Sequence, residues 1–148
     1  MSEHSIDLAW SRNGGSFERG NYVREHDVRF EGGQSVRNSA AGDYGGDSTA
    51  SNPEELLIAA LSSCHMLTFL AVAANRGYIV DSYDDHATGV LEKNAEGKMA
   101  VTRVTLAPQV KFSGDKQPAH EDYVKMQERA GAACFIANSV KTVVELKL

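Results

Sequence analysis

Between Glu55 and Arg76 the chain of 148 residues has no Asp, Glu, Lys or Arg. A helix without charge on any side must be covered all round, in a core, at a subunit interface or in a membrane. The chain is poor in other features too. Two cysteines are too few for a disulfide framework, though enough for one redox pair. No CxxC or HxxxH spacing offers a metal clasp. A net charge of −5 with no clustered basic stripe argues against nucleic acid. The first residues, MSEHSIDLAWSR, hold no apolar leader, so the cytoplasm is the expected location. No repeat or low-complexity run divides the chain, and one domain over residues 1–148 is expected.

The charge-free stretch opens with Asn52-Pro53-Glu54-Glu55 and ends at Asn75-Arg76-Gly77. Ser51 or Asn52 can cap it, Pro53 suits the first turn, Glu54 and Glu55 complement the positive dipole end, and Gly77 suits the C-terminal stop. Leu56 to Ala74 is long enough to span a bilayer. Ser62, Ser63, Cys64, His65 and Thr68 fall at its centre, however, and no basic cluster marks one flank, so a buried core helix is expected and no membrane span.

Residues 5–12 and 20–31 read as two strands joined by a turn at Asn13-Gly14-Gly15, and residues 32–51, with five glycines, as a long polar loop. After the helix come strand runs at 78–84, 86–93 and 99–112, with a turn at 94–97. Residues 119–133 read as an amphipathic helix with Tyr123, Met126 and Ala130 on one side, followed by a short helix at 135–141 and a last strand. The order is α+β.

Cys64 lies mid-helix, beyond reach of the helix's own dipole. Either it is a small buried hydrophobe or a cation from elsewhere must stabilise its thiolate. Cys134 precedes a short helix, where a thiol can meet backbone N–H groups, and core packing is again its alternative. Cys64 and His65 are neighbours on a helix and point about 100° apart, which suits neither a shared ion nor a Cys-His dyad. His65 reads as a packed or interface residue.

The segment Asn-Pro-Glu-Glu-Leu (52–56), the small-residue run Ala59-Ala60-Leu61-Ser62-Ser63 before Cys64, and the second cysteine in CFIANSVKTVVEL resemble the OsmC/Ohr family of thiol-dependent peroxidases. Phe135 stands where the family pattern has a proline. The resemblance implies an OsmC-like fold, with antiparallel sheets around a long buried helix, and an intertwined homodimer with active sites at its interface. It makes Cys64 the peroxidatic thiol, Cys134 the resolving thiol, Glu54 the motif acid, and an N-terminal arginine the activating cation, with Arg24 first, then Arg19 and Arg37. It implies an organic hydroperoxide substrate, a dithiol reductant (lipoyl-type or a small thiol), and neither metal, haem nor flavin. Glu54 and Cys64 are ten residues apart, about 15 Å along a helix axis. Glu54 is therefore expected to serve the cysteine of the second subunit. The alternatives are a non-enzymatic small-ligand-binding protein and a redox sensor on the same fold.

Overall fold

Local chemistry punctuates the central helix, α1 (Pro53–Asn75), as expected. In the computed structural model, which describes residues 1–148, Asn52 Oδ1 accepts the Glu55 N–H at 2.9 Å while Glu55 Oε2 accepts the Asn52 N–H at 3.2 Å. This reciprocal pair is a capping box, with Pro53 in the first helical position. At the other end Gly77 takes φ +77°, its N–H donates to Ala74 O at 2.9 Å, and the Tyr78 N–H reaches back to Ala73 O at 3.0 Å. That Schellman closure needs the left-handed backbone that glycine supplies without strain.

The chain divides into two compact units, Met1–Leu56 and Leu57–Leu148, and α1 starts in the first and continues through the second. The N-terminal unit holds β1 (Ile6–Ala9), β2 (His26–Phe30) and β3 (Ser35–Asn38), an antiparallel sheet in that order. The two expected strands do pair, Leu8 opposite Val28. Their connection is long, however, and the turn at Asn13-Gly14 (φ 50° and 73°) is a local feature within it. Strand β3 lies in the stretch read as loop, and its Val36 sits opposite Val28. That pairing is tertiary and leaves no period-2 signal among the glycines and polar residues around it.

The C-terminal unit contains β4 (Ile79–Asp85), β5 (Thr88–Lys93), β6 (Met99–Leu106), β7 (Pro108–Ser113), α2 (His120–Ala133), a 3-10 turn at Ala137–Ser139, and β8 (Val143–Leu146). The single run expected at 99–112 is broken between β6 and β7, and these two strands enter different sheets, β4-β7 and β5-β6-β8. Asp85 ties the break. Its Oδ1 accepts the Ala107 N–H at 2.7 Å, and its Oδ2 accepts the Ser62 hydroxyl of α1 at 2.5 Å. The β6–β8 pair is parallel, which the long excursion through α2 permits. All other pairs are antiparallel.

Every fourth residue of α1 is buried: Leu61, His65, Phe69 and Ala73. Phe69 stacks edge-on against Phe112 and Tyr123 of the C-terminal unit, at centroid distances of 6.4 and 6.0 Å, and belongs to a core cluster with Met126 and Ala130. Leu61 packs with Val104 and Leu106. The residues between them on the helix, Ala59, Ser63, Leu67 and Ala71, are exposed. Within one chain, then, the expected all-round burial holds for one face only. The polar centre of α1 has protein partners, Asp85 for Ser62 and Gln127 for His65, as a core helix requires.

Candidate functional site

Cys64 and Cys134 meet. Cys134 terminates α2, and the backbone then turns through Phe135 and Ile136 into the 3-10 turn. This turn presents N–H groups to sulfur: those of Phe135 and Ile136 lower the Cys64 thiol, while the Ala137 N–H donates to Cys134 Sγ at 3.5 Å. Both thiols are free.

Their environments are unequal. Burial alone pushes the Cys64 thiol up. The Ile136 N–H, the Cys134 thiol, the Phe135 N–H and the Thr68 hydroxyl outweigh it, so the net shift is downward. Cys134 is 1% exposed, and burial, then its hydrogen bond to Cys64, push its thiol up. The arrangement favours a thiolate on Cys64 with Cys134 as the S–H donor beside it. The mid-helix position predicts a cation from elsewhere as the stabiliser of the thiolate. The groups found are hydrogen-bond donors, two of them backbone N–H.

Other candidates lie as follows. Glu54 sits half-buried in the first turn of α1 without a hydrogen bond, while its neighbour Glu55 is occupied in the capping box. In the N-terminal unit the Arg24 guanidinium lies 4.3 Å from the centroid of the Tyr22 ring and donates to the carbonyls of Tyr22 and Gly45 at 3.0 and 3.2 Å. Gly45 (φ +75°) makes that close approach possible, since a Cβ there would stand 3.1 Å from Arg24 Cζ. Arg19 is exposed in the turn bridged by Glu18 and Asn21. Arg37 pairs with Asp47, whose carboxyl is held down at about 2 by hydrogen bonds from the Thr49 hydroxyl and N–H and by Arg37 itself.

Sequence reasoning missed two elements of the site. One is the pair of backbone donors at Phe135 and Ile136, which no residue type announces. The other is a buried polar chain in which His65 Nε2 lies 2.7 Å from Gln127 Oε1, and Gln127 Nε2 donates to the Tyr123 hydroxyl at 3.0 Å. His65 is thus packed, as expected, although with a specific partner. Thr68, one helical turn beyond Cys64, donates its hydroxyl to the Cys64 carbonyl at 2.8 Å.

Residues 45–148 match the family model described as OsmC-like protein. The chain belongs to the OsmC/Ohr family. The match begins after Arg19, Arg24 and Arg37 and includes Glu54 and both cysteines. An OsmC-like protein of unknown function from Vibrio cholerae is 44% identical, with TM-score 0.96 and 99% of each chain covered. An organic hydroperoxide resistance protein OsmC from Legionella pneumophila shares the fold at 17% identity and TM-score 0.68, covering 100% of this chain and 96% of its own. The organic hydroperoxide resistance protein OhrB of Bacillus subtilis does so at 18% identity and TM-score 0.67, with 99% and 98% covered. No curated protein matches the chain.

Proposed function

We propose that this OsmC/Ohr family member reduces organic hydroperoxides, with Cys64 as the attacking sulfur. The contact between a half-buried thiol shifted toward thiolate and a second, buried thiol carries this reading. The Cys64 thiolate attacks the distal peroxide oxygen. An S–O bond forms, the O–O bond breaks, and the alkoxide leaves as the alcohol after taking a proton. Cys64 is then a sulfenic acid. The Cys134 sulfur attacks it, an S–S bond forms and water leaves. An external dithiol in the cytoplasm restores both thiols by exchange. Phe135, 82% exposed beside the Cys64 donors, supplies apolar surface suited to an organic peroxide.

The protein is proposed to act as a homodimer. The bare stripe Ala59, Ser63, Leu67 and Ala71 on α1 supports this, because a charge-free helix face is stable only when covered. The roles the resemblance implies for Glu54 and for Arg24 or Arg19 are tested by Glu54→Gln, Arg24→Ala and Arg19→Ala. The variant that removes the activating cation slows oxidation of Cys64 and leaves reduction of the disulfide alone.

The deciding experiment is a thiol count after one equivalent of cumene hydroperoxide. The expected result is stoichiometric loss of both thiols, abolished in Cys64→Ser; two unreacted thiols contradict the proposal. A redox sensor built on the same pair oxidises in this assay and then fails to turn over with excess dithiol.

A further inference from the structure

A cavity of about 250 Å³ in the C-terminal unit has Cys134 in its wall and not Cys64. Leu61 and His65 of α1 line it, one helical turn apart, together with Gly131, Ala137 and Thr142. His65 is 1% exposed, so what its ring offers, it offers inward.

The protonation of that ring follows from its partners. The Tyr123 hydroxyl donates to the Pro108 carbonyl, which can only accept, at 3.4 Å. Tyr123 therefore accepts from Gln127 Nε2, which turns Gln127 Oε1 toward His65. His65 Nε2 therefore donates to Gln127 Oε1, and in the neutral ring Nδ1 is the nitrogen with the lone pair. The missing side chain at Gly131 leaves room in front of it, since a Cβ there would lie 4.0 Å from Nδ1. His65 and Cys134 thus line one cavity, where a ring acceptor can take the proton of a thiol that approaches the sulfur.

We propose that this cavity is the docking site of the dithiol reductant, that the reductant attacks Cys134 rather than Cys64, and that His65 Nδ1 takes the proton of the incoming thiol. The inference rests on the Cys64–Cys134 disulfide of the proposed reaction. The incoming S–H gives its proton to Nδ1, its sulfur bonds Cys134 Sγ, and the S–S bond to Cys64 breaks. Cys64 leaves as a thiolate facing the N–H groups of Phe135 and Ile136. The dithiol's second thiolate then attacks its own first sulfur. A cyclic disulfide leaves, and the Cys134 thiolate recovers the proton from His65. The second thiol's proton passes to Cys64 or to water, so the dithiol is oxidised by two electrons and both cysteines are reduced. The better-stabilised thiolate is the better leaving group, which also favours attack on Cys134.

The test uses the full chain oxidised with diamide in parallel with cumene hydroperoxide. A disulfide from diamide but not from the peroxide overturns the peroxidase reading and still allows the docking site to be measured. No Cys64–Cys134 disulfide from either oxidant overturns both. The disulfide form is exposed briefly to 2-mercaptoethanol, quenched in acid and mapped by peptide mass. The mixed disulfide is expected on Cys134; on Cys64 it overturns the proposal. With dithiothreitol, His65→Gln is expected to slow reduction about 100-fold, the scale of a lost proton acceptor. Gly131→Ala, which adds a methyl at ordinary contact distance from the ring, keeps the test open if His65→Gln does not fold. It is expected to lower reduction several-fold relative to the oxidation rate of the same variant. Reduction unchanged in both variants overturns the role of the cavity.

Discussion

The two thiols of this molecule are neighbours and yet sit in opposite electrostatic settings. Cys64 comes from the middle of a helix, where its own backbone N–H groups are all occupied, and it borrows donors from the turn after α2. Cys134 belongs to that turn but is almost sealed from solvent, and the N–H groups of Ala137 (at 3.5 Å) and Ile136 do not offset its burial. Chain position alone would have favoured Cys134 as the activated thiol. Aimed donors, rather than proximity to a helix end, set the order, and they set it in favour of Cys64.

The comparison breaks most completely at Cys64 itself. Cys64→Ser is expected to abolish peroxide consumption, read by residual hydroperoxide under excess dithiol. Cys134→Ser leaves a protein that oxidises once per chain and stalls, which a single-turnover burst without steady turnover reports. Phe135→Pro removes one N–H from the Cys64 sulfur, since proline has none. Losing one bond to a charged sulfur should slow alkylation of Cys64 at neutral pH about tenfold, with Cys134 little changed. The smallest expected effect concerns pH. A lowered thiol ionises earlier as pH rises, so iodoacetamide labelling of Cys64 should reach half its maximum at a lower pH than the value of an ordinary exposed thiol. Cys134, raised by burial, should label above that value. Coincident midpoints for the two cysteines would erase the asymmetry.

Much of this is legible in the sequence. The limits of α1 follow from Asn52, Pro53, Glu55 and Gly77, because caps and stops are local chemistry. The pairing of Cys64 with Cys134 was legible only through the resemblance, since nothing in their spacing brings them together. What could not be read depended on distant backbone. Strand β3 exists because Val36 pairs with Val28, and the Cys64 donors are main-chain groups of residues whose side chains say nothing of the role. In the sequence Phe135 is a departure from the family pattern. Its N–H, which a proline lacks, is one of those donors. Gln127 was hidden for a similar reason. On an amphipathic helix it reads as surface, yet it is fully buried against His65.

The most direct test of the unequal pair is to trap the first oxidation product in the two single-cysteine variants with dimedone after one equivalent of cumene hydroperoxide. The account predicts a sulfenic-acid adduct on Cys64 in Cys134→Ser and no adduct on Cys134 in Cys64→Ser. Equal labelling of the two, or labelling of Cys134 alone, would contradict it.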